Sequence, residues 1–108
     1  LLIHAEAMDS GLAGFIWAEE TELKSGFRIS RLLQLYVVPQ YRGLGIGRLL
    51  LERYCTESAN AKIDKLYCDL QGKSMVLLEV LREMGFLRTG IQLSMDVNTW
   101  EAPGAIEF

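Results

Sequence analysis

Residues 37–50 read Val-Val-Pro-Gln-Tyr-Arg-Gly-Leu-Gly-Ile-Gly-Arg-Leu-Leu, and this stretch decides the fold. An apolar segment ends there in a loop with three glycines in five positions, and a segment of helical character follows directly. This order predicts a strand, a loop and a helix. Glycines let a backbone come close to a ligand, and the amides and dipole of a helix start attract an anion. The stretch therefore predicts a phosphate-binding loop, with Arg42 as its countercharge.

The spacing of the glycines excludes the commonest phosphate-binding loops. A mononucleotide P-loop requires Gly, four residues and then Gly-Lys-Ser/Thr, and no such run is present. The dinucleotide fingerprint Gly-x-Gly-x-x-Gly also fails, because the glycines occupy positions 43, 45 and 47. Asp64 or Asp69 nevertheless lies near the distance at which a ribose-binding acid is wanted. A dinucleotide-binding oxidoreductase domain is therefore a minor alternative, and a tight turn without a ligand is another.

The stretch resembles the acyl-coenzyme A site of the GNAT superfamily of N-acetyltransferases. The central motif of that family, Gln/Arg-x-x-Gly-x-Gly/Ala, corresponds to residues 42–47, and its preceding strand, often Leu-Tyr-Val-x-Pro-x-Tyr, to residues 35–41. Residues 65–70 are similar to the next strand of the family. Residues 75–86 are similar to a family helix that ends in Gly-Phe. Four elements in the right order are far more specific than one glycine loop.

The resemblance implies a mixed α/β sheet flanked by helices, with residues 1–108 as a single domain. The apolar patterns along the chain agree, and they predict strands at 1–7, 12–20, 27–38, 65–70, 86–89 and 91–97 and helices at 44–61 and 75–84. The first three strands are expected to be antiparallel neighbours. Family members usually carry a strand and two helices before the segment that matches residues 1–7, and the resemblance assigns them no counterpart in this sequence.

The spacing of apolar residues indicates which residues form the faces of the two predicted helices. The first helix is indicated by a row of helical spacing made of Leu49, Leu50, Tyr54 and Ser58. Gly85 is expected to end the second helix in a left-handed conformation. The second helix is expected to be buried through Val76, Leu77, Val80, Leu81 and Met84.

The resemblance implies transfer of an acetyl group from acetyl-coenzyme A to a primary amine, either a small molecule or a protein N-terminus. The pyrophosphate would lie over the amides of residues 43–48, and the pantetheine would pair with residues 36–38. A backbone amide near Val37 would hold the thioester carbonyl. Ser74 replaces a family asparagine and is either a cofactor contact or a plain helix cap. The implied cofactor-binding residues are Tyr36, Val37, Val38, Arg42, Gly43, Leu44, Gly45, Ile46, Gly47, Arg48 and Ser74.

The sequence assigns no residue as general base or general acid. An amine must lose its proton before attack, yet the strand position that is often acidic in the family is Gln34, and its usual tyrosine is Leu81. Tyr36, Tyr67 and Glu6 are weak catalytic candidates, since half-buried strand tyrosines and a solvated surface glutamate explain them equally well. A coenzyme A-binding module that has lost catalysis is therefore the main alternative to an active enzyme.

Composition limits the remaining classes of function. The net charge of −3 opposes general binding of nucleic acid, and no apolar run reaches about 18 residues, so neither nucleic acid nor a membrane is an expected partner. No basic leader precedes an apolar stretch, which predicts a soluble, cytoplasmic protein. Cys55 and Cys68 are expected to be reduced, buried thiols rather than nucleophiles, and no metal-ligand spacing includes His4. A homodimer that completes the acceptor site is a further hypothesis.

Overall fold

The structure is a computed structural model that describes residues 2–6, 11–69, 75–89 and 92–99. Strands of one sheet and two α-helices make up most of this part of the chain. The strands are β1 (Leu2–Glu6), β2 (Leu12–Glu22), β3 (Arg28–Val37), β4 (Lys65–Asp69), β5 (Leu87–Thr89) and β6 (Gln92–Asp96). The helices are α1 (Ile46–Asn60) and α2 (Met75–Glu83), with short 3-10 turns at Pro39–Tyr41 and Val97–Thr99.

The sheet is mixed, as the sequence predicts. Its strand order is β1-β2-β3-β4-β6-β5. Of the strand pairs in the described residues, β3 and β4 are parallel and the others are antiparallel. The long connection from β3 to β4 passes through α1, as a parallel pair requires a crossover.

The predicted boundaries differ from the observed ones by more than one residue at two places. β2 continues to Glu22, beyond the predicted end, because a tight turn closed by the Leu23 N–H donating to the Phe27 carbonyl (2.8 Å) extends the β2–β3 hairpin. α1 begins at Ile46 rather than at residue 44, because Gly43 and Gly45 have φ of +79° and +82°, which a right-handed helix excludes. The left-handed Gly85, with φ of +102°, is confirmed.

The core lies between one face of the sheet and α1. α1 buries a stripe of helical period against the sheet, made of Leu50, Leu51, Tyr54, Cys55 and Ser58. Leu49 belongs to the predicted row of helical spacing but lies outside this stripe, since its side chain is 49% exposed. The buried stripe is centred one residue further along the helix, so Leu49 lies on the same side as the exposed Arg53 four residues later.

β3 contains a bulge in its middle. Trp17 pairs with Gln34, but its neighbour Ala18 pairs with Leu32, so Leu33 is an extra residue in β3. Side chains alternate between the two faces of a strand, and one extra residue therefore inverts the alternation and bends the strand.

The bulge has two consequences for the second half of β3. Ser30 faces α1 before the bulge, where its hydroxyl lies 2.7 Å from the buried Tyr54 phenol, whereas Leu35 and Val37 face α1 after it. The parallel pairing with β4 ends at Leu32 opposite Cys68. Residues 33–37 of β3 therefore continue without β4 as a neighbour, and a cleft opens beside them.

Candidate functional site

A cavity of about 690 Å³ lies at this cleft, between the end of β3, the glycine loop, the start of α1 and one side of α2. Its volume falls within the range of small-molecule sites, roughly 300–1,000 Å³. The lining residues are Leu35, Tyr36, Val37, Tyr41, Arg42, Gly43, Gly45, Ile46, Gly47, Arg48, Leu51, Leu77 and Val80.

The glycine loop presents the start of α1 to the cavity. Gly45 is the N-cap of α1, with φ of 82° and ψ of 8°, and no side chain of the described residues caps the helix. The amide of Leu49 donates to the Gly45 carbonyl (3.1 Å), and the amides before it have no carbonyl within the helix to bind. Serine or aspartate at an N-cap would occupy such amides, whereas glycine leaves them to a ligand. The loop is therefore suited to an anion, as predicted.

The exposed edge of β3 forms the second wall. The Val38 N–H donates to the Ala13 carbonyl at 2.8 Å. Because both polar groups of a residue in an antiparallel ladder point to the same side, the N–H and carbonyl of Val37 face away from β2, towards the cleft. The side chains of Leu35 and Val37 make the floor under α1, where a Cβ added to Gly47 would lie 3.7 Å from Val37 Cγ2. A linear ligand could add to this edge as a strand.

Two arginines line the cavity, and each has a protein partner. Arg42 donates from Nε to the Val37 carbonyl (2.9 Å), and its guanidinium carbon lies 5.7 Å from the centroid of the Tyr36 ring. Arg48, in the first turn of α1, forms an ion pair with Glu83 at the end of α2. The ion pair joins the two helices that flank the cavity.

The apolar wall comes from α2 and α1. Leu81 of α2 and Met84 just after it are buried in the core, whereas Leu77 and Val80 are half-buried and line the cavity with Leu51 of α1. The sequence predicts Leu77 and Val80 as core residues because their spacing does not distinguish a core face from a cavity wall. Leu35, Tyr41 and Leu51 were also not predicted to line a site, although their place beside the glycine motif is a signal that could have found them.

The structure brings most of the predicted cofactor residues together. The predicted residues that line the cavity are Tyr36, Val37, Arg42, Gly43, Gly45, Ile46, Gly47 and Arg48. Val38 and Leu44 are not among the lining residues, because the Val38 N–H bonds to β2 and Leu44 is 59% exposed on the loop. Ser74 lies outside the described residues.

The catalytic candidates are separated. Tyr36 lines the cavity and packs on Phe15, with ring centroids 5.8 Å apart. Tyr67 is not a lining residue, because it lies in the paired part of β4, beside the cations of Arg31 and Lys65. Glu6 is in β1, and its side chain lies outside the described part.

The described lining of the cavity holds phenols and guanidinium groups but no carboxylate, imidazole or thiol. Its titratable residues are Tyr36, Tyr41, Arg42 and Arg48. Gln34, at the often acidic position, is exposed on β3. No described residue therefore offers a carboxylate or imidazole base within the cavity.

Both cysteines are fully buried in the core and lie outside the cavity lining. Burial, with the charge of Glu52 adding to it, raises the pKa of the Cys55 thiol to about 12. This agrees with the predicted packing role, because a thiol nucleophile needs a lowered pKa.

The raised pKa of Cys55 predicts how stability depends on pH. Above about pH 9 the unfolded chain ionises this thiol while the folded chain keeps its proton, so stability falls as the pH rises from 9 towards 12. The free energy of unfolding, measured with urea between pH 8 and 11, should fall more steeply with pH for wild type than for Cys55→Ala. The difference between the two slopes should correspond to close to one proton per molecule. Parallel pH dependences of the two proteins would contradict the assignment.

Metal-ligand clusters and membrane-spanning helices are both absent from the described residues. No group of three or more histidine, cysteine, aspartate or glutamate side chains is arranged to hold a metal ion there. No helix within the same residues is long and apolar enough to cross a membrane.

Similar solved structures share this fold. The Brucella melitensis ribosomal-protein-alanine N-acetyltransferase is 20% identical, with 88% of this chain and 67% of that chain covered and a TM-score of 0.77. The Escherichia coli ribosomal-protein-S18-alanine N-acetyltransferase is 17% identical, with 100% and 74% covered and a TM-score of 0.75. A chain of the NatC complex bound to Gag peptide and CoA is 18% identical, with 79% and 61% covered and a TM-score of 0.73.

The chain spans 61% of that NatC chain, so it corresponds to only part of such a protein. No curated protein sequence matches it significantly. The family described as the acetyltransferase (GNAT) domain matches residues 2–88, which is most of the chain and includes the glycine loop, α1, β4 and α2. With the cleft and helix start described above, this match shows that the chain belongs to the GNAT family of acetyltransferases.

Proposed function

We propose that this protein transfers the acetyl group of acetyl-coenzyme A directly to a primary amine. The observation that carries the proposal is the cleft beside residues 33–37, where a strand edge that no described strand covers leads to the start of α1, which no described side chain caps. The amides of residues 43–48 would hold the pyrophosphate, and the Val37 N–H at the edge of β3 would pair with the pantetheine. The fit is supported by the size of the cavity and by its apolar wall.

The chemistry then needs few side chains. A neutral amine attacks the thioester carbonyl, the carbon–sulfur bond breaks, and the amine gives up one proton while the departing thiolate takes one. The amide of Val37, which faces the cleft, would stabilise the developing oxyanion. The candidates to protonate the departing sulfur are the phenols of Tyr36 and Tyr41, since both residues line the cavity.

The described lining favours an acceptor whose amine is already partly neutral. An α-amino group with a pKa of about 7.7 is roughly 40% neutral at pH 7.5, whereas a lysine side chain with a pKa near 10.4 is neutral in about one molecule per thousand. Because the described lining residues include no carboxylate or imidazole, this difference of roughly 300-fold in the neutral fraction favours the α-amino group. We therefore propose a protein or peptide N-terminus, or a small amine of low pKa, as the acceptor.

Relatives supply independent support for this class of acceptor. Two similar structures are named ribosomal-protein-alanine N-acetyltransferases, and an Arabidopsis thaliana Naa50 structure contains a bisubstrate analogue, CoA-Ac-MVNAL. The Naa50 chain is 20% identical, with 81% of this chain and 67% of that chain covered and a TM-score of 0.70. A soluble cytoplasmic location and a second chain that completes the acceptor wall belong to the same proposal.

The described lining holds no carboxylate or imidazole, which favours one alternative, a coenzyme A-binding module without turnover. Calorimetry with acetyl-coenzyme A and a release assay for free coenzyme A distinguish the two. Peptides with a free N-terminus should be acetylated at pH 7.5, and the same peptides with a blocked N-terminus and a free lysine should react at least about 100-fold more slowly, as the pKa argument requires. Tight binding without turnover on any amine would favour the binding module, and absence of binding would contradict both.

A further inference from the structure

We infer that Arg42 is a positioning residue that fixes the cleft edge of β3, and that it is not a phosphate ligand. The inference rests on the proposed function, because it concerns the same site. The sequence alone predicts Arg42 as the countercharge of the loop, since a cation beside a phosphate loop is the simplest reading. The contacts of its side chain point to a different role.

The side chain is turned towards the strand. Arg42 Nε donates to the Val37 carbonyl at 2.9 Å, and the guanidinium lies over the Tyr36 ring, 5.7 Å from its centroid. Both partners belong to the end of β3, and the distance to the ring is within the range of a cation–π contact. Two contacts on one strand fix the direction of the guanidinium.

The bonded carbonyl belongs to one peptide group that is held from both sides. The peptide joining Val37 to Val38 donates its N–H to the Ala13 carbonyl of β2 (2.8 Å), and its oxygen accepts from Arg42. No strand of the described sheet pairs with β3 on that side at this point, because β4 ends its pairing at Leu32. Arg42 thus takes the place of a strand neighbour for this carbonyl.

Fixing this peptide also fixes the neighbouring donor. The Val37 N–H, one peptide earlier, faces the cleft and would serve the thioester and the pantetheine. Arg42 belongs to the loop that leads to Gly43 and Gly45, and its backbone amide bonds to the Pro39 carbonyl (3.2 Å). The residue therefore joins the two halves of the site, the strand edge for the thioester and the helix start for the phosphates.

Side-chain chemistry separates this role from that of a countercharge. The amide nitrogen of glutamine is as many bonds from Cα as arginine Nε, so Arg42→Gln keeps a donor for the Val37 carbonyl without the charge. Arg42→Lys keeps the charge but has a methylene at that place. Arg42→Met has neither and serves as the matched control for length.

The test measures these variants by calorimetry with acetyl-coenzyme A and with 3′-phosphoadenosine 5′-diphosphate, which carries the phosphates without the pantetheine. We expect Arg42→Gln to bind acetyl-coenzyme A within about threefold of wild type, and Arg42→Lys and Arg42→Met to lose about tenfold, the size of one charge-assisted hydrogen bond. For 3′-phosphoadenosine 5′-diphosphate, all three variants should have a Kd within about twofold of the wild-type value.

Two outcomes would overturn the inference and make Arg42 a phosphate ligand. In the first, Arg42→Lys keeps the affinity for acetyl-coenzyme A and Arg42→Gln loses it. In the second, the variants lose affinity equally for acetyl-coenzyme A and for 3′-phosphoadenosine 5′-diphosphate. Arg42 is exposed, so the variants are expected to fold, and thermal melting checks this. Wild type that binds neither ligand would instead reject the proposed function together with the inference. If wild type binds both ligands and the variants show either of the contradicting outcomes, the inference alone is rejected.

Discussion

Gly45→Trp is expected to weaken the binding of acetyl-coenzyme A by at least about 100-fold, roughly 2.7 kcal/mol. Gly45 lines the cavity and caps α1 in the left-handed region, with φ of 82°. An indole at this position would stand over the helix amides that the pyrophosphate requires, and it would exclude the phosphates by its bulk. Calorimetry with wild type and variant measures the loss.

A loss of binding could also follow from backbone strain alone, and Gly26→Trp controls for it. Gly26 has φ of +87° in the β2–β3 turn, and a Cβ there would meet nothing within 4 Å. Both variants carry the same side chain in the same region of φ, so each is expected to lose about 1–2 kcal/mol of stability. Equal loss of binding in both variants would show that strain, rather than access to the helix start, explains the result.

Gly14→Ala is expected to destabilise the fold by about 1–3 kcal/mol, the usual cost of overpacking. A Cβ on Gly14 would lie 2.6 Å from the Tyr36 carbonyl oxygen, 3.3 Å from Val37 Cα and 3.2 Å from Leu50 Cδ1. Two of these three obstacles are backbone atoms of β3, which cannot rotate away. The end of β3 must therefore move, and the cleft edge must move with it.

Urea unfolding measures the loss of stability, and Gly47→Ala is the matched control. A Cβ on Gly47 would lie 3.7 Å from Val37 Cγ2 and 4.0 Å from Leu35 Cδ2, which are ordinary contacts. Within a helix, alanine in place of glycine is expected to stabilise by about 0.5–1 kcal/mol. The two alanine variants should therefore change stability in opposite directions, and a neutral Gly14→Ala would contradict the close approach of β2 and β3.

Prediction from the sequence succeeded where a residue type carries a local requirement. The apolar run after the glycine loop indicates a helix, and Gly85 indicates a left-handed helix end, which the structure confirms. Such conclusions need only neighbouring residues. The left-handed backbone at Gly43 and Gly45 was not predicted, since the sequence placed the helix start at residue 44. The spacing of apolar residues did not show that Leu49 is exposed, because it fixes the buried side of a helix only to within about one residue.

Other features had no signal in the local sequence. Nothing in the residue type of Leu33 marks a bulge, which appears only when β2 is paired with β3. Gly14 resembles any strand glycine until the Tyr36 carbonyl is placed against it. Leu77 and Val80 have the spacing of core residues, and only the position of α2 over the cleft makes them a cavity wall.

The sequence by itself determined the helix start that is suited to phosphate, because it depends on backbone conformations that a few neighbouring residues impose. The family and the mixed sheet followed from the sequence only through the order of four family-like elements, since strand pairing joins distant segments. The tertiary structure alone decided that the β3–β4 pairing ends at Leu32, and that Arg42 is turned to the Val37 carbonyl. Both depend on contacts between chain segments brought together by folding. The spacing of residues along one segment does not contain that information.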